Sequence, residues 1–343
     1  MKNQLSIAKK GKLNPQDSFS KEFKFRLESK WYKVISHLFS ELTYATANFF
    51  KKYDFIQIPL PVTCHSISSP FGLGSDSKPV KIDLFNAQTY LADSMQFHLE
   101  VILRQGFTGA YYIMPTFRGE ECDSRHLSQF FHSELEMQGG LDEVMKMVEN
   151  YIKSCAAHLL KKCASMIKEV AKDISHLQKM ASPSYTIPSI SFEEAIYLLN
   201  KEEFFKKVEG RIVSISPSGE QALIKDFGGA VWVHHYPIYS VPFYQAWDKD
   251  KRFAKCADLL IGIGETVGCG ERHVSYQETK EALYHHKVDL DEYRWYLELK
   301  KDYPLLTSGF GMGLERFILW VLRYDDIRDI HLFNRMQGSN NIP

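Results

Sequence analysis

The sequence predicts an α+β fold, a mostly antiparallel sheet flanked by helices. Three observations carry this. Apolar residues recur at helical spacing in two long stretches, about residues 27–53 and from Asp142 onward. The strand-like segments come in runs, not in the strict strand–helix alternation of a parallel sheet. One strand pair, YYIMPTFRGE and SQFFHSELEM, is joined only by the turn ECDSRHL, which makes a hairpin.

In the first helix Trp31, Val34, Ile35, Leu38, Leu42 and Phe49 keep the helical period. DFIQIPLPV then reads as a strand whose prolines favour a sheet edge or a strand end. Residues 66–79, SISSPFGLGSDSKP, are a Gly/Ser/Pro loop that reads equally as a mobile lid or a plain surface loop. KIDLF and TYLAD read as strands, followed by a helix from about Ser94 to Gln105. The hairpin and the long amphipathic helix follow. Ser191 and Glu194 form a capping box ahead of an apolar run. ALIKDFGGAVWVHHYPIYSVPFYQAW reads as strand, turn, strand, and ADLLIGIGETVGCGERH as a strand pair. TSGFGMGLERFILWVLRY is a glycine-rich strand running into a helix.

The chain has 343 residues, enough for one large domain or two small ones with ample core. Lys+Arg and Asp+Glu both count 42, so bulk charge gives no sign of a nucleic-acid partner. Lys2, Lys9, Lys10 and Lys12 make the start basic, and residues 1–24 read as a flexible tail before a domain over 25–343. None of the six cysteines forms a CxxC pair, which argues against a zinc knuckle and suits reduced thiols in the cytoplasm. No secretory leader and no apolar run of about 18 residues is visible, so no membrane partner is expected.

The chemistry lies in three places. Alternate side chains of a strand share a face, so Arg118 with Glu120, and Glu134 with Glu136, make a mixed acid and base floor. A solvated sheet face would show the same pattern, but rarely with so much Phe and Met around it. Gly309, Gly311 and Gly313 lead to Glu315 and Arg316, where glycine lets a ligand ring approach and Arg316 can stack on it or hold phosphate. As a dinucleotide motif this set is weak, because no βαβ unit follows. Asp258, Glu265 and Arg272 are spaced by seven, and two carboxylates near a glycine turn can hold Mg²⁺ on a triphosphate.

Together these stretches resemble the catalytic core of class II aminoacyl-tRNA synthetases, aspartyl/asparaginyl subgroup. FIQIPLP is similar to the first class motif, with Pro61 as its dimer-interface proline. FRGEECDSRHLSQFFHSELEM is similar to the second and GFGMGLERF to the third, while LADSMQFHLE and DLLIGIGETVGCGERH match two further subgroup stretches. The resemblance covers roughly residues 25–340. It implies ATP and Mg²⁺ as cofactors, a homodimer, and a site in which Arg118, Arg316 and Glu265 carry catalysis. Arg118 would grip the α-phosphate and the amino-acid carboxylate, Glu120 the adenine amino group, and Arg316 the γ-phosphate. Arg125, His126, Leu127 and Gly313 belong to the same ATP site. Asp258 and Glu265 would hold the metal. Ser94, Gln96, Gln129, Glu134, Gly268 and Arg272 would form the amino-acid pocket.

The resemblance is incomplete in places. About 25 residues precede the resembling core, where the subgroup carries an anticodon-binding barrel, so that module is expected to be absent. In that respect the chain resembles the archaeal-type asparagine synthetase derived from this subgroup. Leu99 stands where aspartyl enzymes carry lysine, and Gln129 where relatives carry Glu. Asp76 is the stand-in for an acid that would meet the α-amino group. The expectation is therefore ATP-dependent adenylation of aspartate or a close analogue, then amide formation with ammonia or a small amine. The alternative is a compact asparaginyl- or aspartyl-tRNA synthetase, or a paralogue passing the amino acid to another acceptor, with tRNA possible but not favoured. A non-catalytic regulatory paralogue is a third reading.

Overall fold

The computed structural model describes residues 24–70, 78–84, 86–208, 210–333 and 335. The tail expected over 1–24 lies, but for Lys24, outside the described residues, as does Asp76.

Ser29 caps the first helix by accepting from the Trp31 N–H, and α1 runs over Lys30–Phe50. Short strands β1 (Ile56–Gln57) and β2 (Thr63–Cys64) follow, then β3 (Val80–Leu84) and β4 (Ala87–Leu91). Helix α2 (Gln96–Leu103) leads to the hairpin β5 (Gly109–Phe117) and β6 (Gln129–Gln138). The long helix α3 (Leu141–Ala171) and α4 (Ser175–Ala181) come next. Then follow β7 (Ser189–Ser191), α5 (Phe192–Leu199), β8 (Phe205–Val208), β9 (Arg211–Ile215) and α6 (Pro217–Asp226). The chain closes with β10 (Ala230–His234), β11 (Cys256–Ile261), β12 (Gly264–Glu271), α7 (Tyr276–His285), α8 (Arg294–Asp302), β13 (Thr307–Gly313) and α9 (Leu314–Leu322). The expected capping box is formed: Ser191 Oγ accepts from the Glu194 N–H, and Glu194 Oε2 accepts from the Ser191 N–H.

The principal sheet has eight strands in the order β1-β5-β6-β13-β12-β11-β10-β7. Its central pairs are antiparallel; β1 on β5 and β7 on β10 are parallel. One face carries the largest core, built from α1, α3, α9 and inward residues such as Leu135, Phe310 and Met312. A buried hydrogen-bond chain ties these layers together. Thr46 of α1 meets the Tyr151 hydroxyl at 2.7 Å, and that hydroxyl donates to Ser133 of β6 at 3.0 Å. On the opposite face α2 packs on β5 and α6 on β10 and β11, with β6, β13 and β12 between them in the sheet.

Two expectations change. DFIQIPLPV contributes only Ile56–Gln57 as strand, because its prolines cannot donate to a ladder. ALIKDF is helix, not strand: Ser216 caps it through the Gly219 N–H and Pro217 opens its first turn. Among the described residues no helix is long and apolar enough to cross a membrane.

Candidate active site

Rows across the sheet explain why glycines and acids alternate. Asp258 of β11 faces Gly268 of β12, which faces Gly311 of β13, which faces Glu134 of β6, which faces Tyr112 of β5. In the neighbouring row Gly270, Gly309 and Glu136 are aligned. A Cβ on Gly309 would overlap the Glu136 carboxylate, so glycine there makes room for a neighbour's acid. The third motif's glycines are the floor over which β6 projects its charges.

At one end of this floor lies a cavity of about 370 Å³. Arg118, Glu120, Arg125, His126, Leu127, Glu265, Gly313 and Arg316 all line it. The Arg118 guanidinium is 5.8 Å from the Phe130 ring centroid, and its buried Nε has no partner among the described residues. Glu120 Oε1 accepts from the Lys78 N–H at 3.0 Å. Arg316 donates to the Glu265 carbonyl at 2.5 Å, which fixes it across the cavity. Glu315 beside it is structural: it accepts from the Phe131 N–H at 2.8 Å and meets His331 at 2.6 Å, anchoring α9 to β6. Burial, and then Arg316, hold the His126 imidazole below its usual range. Leu127 reaches the cavity from the main core.

Toward the other end the polar groups are closed in. Arg272, only 3% exposed, donates to Glu136 Oε1 from Nε at 3.1 Å and from Nη2 at 2.5 Å, and to Gln245 Oε1 at 3.1 Å. Its guanidinium also sits 5.1 Å from the Tyr244 ring centroid. Glu134 accepts from Ser94 Oγ at 2.5 Å and from the Tyr112 hydroxyl, and meets His132 Nδ1 at 2.9 Å. Burial pushes the Glu134 carboxyl up, but these hydrogen bonds outweigh it and hold it below the usual range. The Gln96 backbone N–H donates to Ser94 Oγ at 3.1 Å, while its buried Nε2 has no partner among the described residues.

One predicted pocket residue is misplaced. Gln129 alternates with Phe131, Ser133 and Leu135, on the sheet face opposite Phe130, His132 and Glu134. A period of two puts it on the helix-packed side, so it is withdrawn from the amino-acid pocket. Residues not foreseen are Phe130 in the cavity wall, and Tyr112, Tyr244 and Gln245 around the acids. The alternation that found Glu134 and Glu136 also marks Phe130 and His132. Gln245 lies in an aromatic stretch without periodic signal, and only the fold brings it to Arg272.

The carboxylates fit a divalent cation. A Cβ on Gly268 would stand 3.0 Å from Glu265 Oε1 and 3.5 Å from Asp258 Oδ1, so both acids converge on a bare backbone position. Burial, reinforced by Glu265, pushes the Asp258 carboxyl well above its usual range, a repulsion that a cation relieves.

Comparison with known proteins agrees with this geometry. Residues 21–337 match the family model of tRNA synthetases class II (D, K and N). The chain is 28% identical over 321 residues to asparagine–tRNA ligase of Koribacter versatilis, covering 90% of this chain and 70% of that protein. It is 29% identical over 316 residues to the enzyme of that name from Lactobacillus delbrueckii subsp. bulgaricus, with the same coverages. The crystal structure of asparaginyl-tRNA synthetase from Pyrococcus horikoshii complexed with asparaginyl-adenylate superposes with a TM-score of 0.85 at 25% identity, covering 96% of this chain and 74% of that one. Asparaginyl-tRNA synthetase from Entamoeba histolytica, at 20% identity and TM-score 0.82 over 97% of this chain and 73% of that one, shares the fold. The chain therefore belongs to the class II tRNA synthetases of the D, K and N group, and is an ATP-dependent, AMP-forming amino-acid ligase.

Proposed function

We propose that the protein activates asparagine with ATP and transfers it to tRNA. The observation that carries the choice of amino acid is the Glu136–Arg272 pair. Glu136 spends Oε1 on Arg272, while its buried Oε2 has no partner among the described residues. A carboxamide complements this pair: its NH₂ donates to Glu136 and its carbonyl accepts from Arg272. The β-carboxylate of aspartate would instead bring a second anion against Glu136. Leu99 adds no cation, being fully buried among apolar residues. Asparagine thus replaces aspartate as the first choice.

The acceptor follows the relatives, which are asparagine–tRNA ligases. Amide formation with ammonia, the reading favoured by the sequence, has no such support, and tRNA takes its place. A homodimer built on α1 remains part of the proposal.

In this reading the asparagine α-carboxylate attacks the α-phosphorus of ATP. The O–P bond forms as the bond to pyrophosphate breaks, and no protein nucleophile is needed. Arg118 sits where positive charge stabilises the crowded phosphorus, Arg316 and Arg125 take the far phosphates, and Phe130 offers a flat face to the base. Asp258 and Glu265 hold Mg²⁺, which when bound neutralises phosphate oxygens. A tRNA hydroxyl then attacks the acyl carbon and AMP leaves. Glu134, Ser94 and Gln96 orient the amino acid, so positioning supplies much of the rate.

The test is pyrophosphate exchange with asparagine or aspartate, followed by incubation with tRNA or ammonium. Asparagine-dependent exchange and acid-precipitable asparagine on tRNA are expected. Aspartate-dependent exchange with free asparagine formed from ammonium would overturn the proposal in favour of the amide-forming reading.

A further inference from the structure

Glu220 lies outside the five motif stretches that carry the resemblance. It stands in the first turn of α6, in the segment between β9 and β10. Its Oε2 nevertheless lies 2.5 Å from Arg125 Nη2, the side chain that the β5–β6 turn sends into the nucleotide cavity. Both side chains are largely shielded, 17% exposed for Arg125 and 15% for Glu220. The pair closes over Gly264, the first residue of β12. A Cβ there would overlap both partners, and its φ of +139° is open to glycine. Gln221, the next residue of α6, donates from Nε2 to the Gly262 carbonyl at 2.9 Å and ties the helix to the same turn. Arg125's own carbonyl accepts from Arg316 Nη2 at 3.4 Å. Arg125 Nε is buried without a partner among the described residues.

Three guanidiniums, of Arg118, Arg125 and Arg316, thus meet at one cavity, and without a polyphosphate they repel one another. A carboxylate at charge-assisted hydrogen-bond distance holds one of them in place before the ligand arrives. From this geometry we infer that Glu220 is a positioning residue for nucleoside triphosphate, acting through Arg125 and keeping the guanidinium at the cavity wall with Nε unspent. The inference rests on the ATP reading of the cavity. It makes α6 a working part of the nucleotide site, joined to it by the Glu220–Arg125 pair over Gly264 and by the Gln221–Gly262 hydrogen bond.

A double-mutant cycle tests it. ATP binding with Mg²⁺ is measured by titration calorimetry on the full chain, on Glu220→Gln, on Arg125→Gln and on the double variant. Preorganisation of one long side chain predicts about three- to tenfold weaker ATP binding for Glu220→Gln. The double variant is expected to bind no more weakly than Arg125→Gln alone, because Glu220 acts only through Arg125. In exchange assays KM for ATP rises while KM for asparagine stays. Glu220→Ala, run beside the isosteric glutamine, gives the same ordering. Unchanged or tighter ATP binding in Glu220→Gln, or losses that add in full in the double variant, would overturn the inference. Failure of the unaltered protein to bind ATP would sink the functional reading as well, so the two failures are distinguishable.

Discussion

Arg272 and Arg118 serve the same sheet face under opposite conditions. Arg272 is enclosed, bonded to Glu136 and Gln245 and set against Tyr244. Behind it Glu100, fully buried, takes Lys300 at 2.6 Å and the Tyr296 hydroxyl at 2.7 Å, with Arg104 at 3.6 Å. Arg118 lies in an open cavity over one ring, with its Nε unspent. In the proposed reading, the amino-acid end is wired before any ligand arrives, and the nucleotide end carries charge that a polyphosphate would satisfy. A wired pocket reads small chemical differences, since a misplaced group leaves buried partners unpaired. An open cationic cavity suits a large, highly charged and common substrate.

The largest effect expected from this contrast is on stability behind the amino-acid end. Lys300→Met leaves Glu100 buried beside a less direct cation, a change that costs about 3–5 kcal/mol when a buried pair is broken. Urea unfolding measures it, and a loss below about 1 kcal/mol would mean that the network is not prestressed by burial. Arg118→Ala should do the reverse. Exchange falls by about two to three orders of magnitude, as when a transition-state donor is removed, while the unfolding midpoint barely moves. A large drop in stability would erase the distinction between the two ends.

Glu136 sharpens the comparison further. Glu136→Gln removes the acceptor charge and should lower kcat/KM for asparagine by about ten- to a hundredfold, narrowing the gap to aspartate. The same group predicts a pH dependence. Burial lifts the Glu136 carboxyl to about 7, against the pull of Arg272 and with the push of Glu100. Ionised, both Glu136 oxygens accept from a carboxamide, whereas protonation turns one of them into a donor and weakens the acceptor. Asparagine-dependent exchange should therefore fall as pH drops below about 7. Aspartate should gain relative to asparagine there, since a protonated Glu136 can donate to a carboxylate. A flat ratio of the two substrates from pH 6 to 8, where about one decade of change is expected, would remove Glu136 from the pocket.

Much of this was legible in the sequence because strand alternation and glycine spacing are local. Glu134, Glu136 and the Gly309–Gly313 run are read directly from a period of two, and the register then brings them face to face, whereas Arg118 lies just past the end of β5. The helix at 217–226 was missed because ALIKDF looks apolar enough for a strand, and the deciding signal, Ser216 followed by Pro217, lies ahead of it. Motif position alone puts Gln129 in the pocket, where the same alternation gives the opposite face. Gln245 and Glu220 were not legible at all. Each reaches its arginine across a long sequence separation, and a single sequence carries no mark of such a contact.

The smallest effect concerns Ser94, where the wired end holds a spare bond. Ser94 Oγ donates to Glu134 Oε2, but the same carboxylate also takes the Tyr112 hydroxyl and faces His132. Glu136, in contrast, accepts only from Arg272 among the described residues, through one oxygen. Removing the Ser94 hydroxyl leaves Glu134 ionised and held, so Ser94→Ala should cost about 1 kcal/mol, roughly fivefold in KM for asparagine. Ser94 also receives the Gln96 N–H at the start of α2, so part of that loss falls on the helix end and on the placement of Gln96. Steady-state exchange resolves the size of the effect. A loss as large as that of Glu136→Gln would show that Tyr112 and His132 do not share the load, and that Glu134 is as singly supported as Glu136.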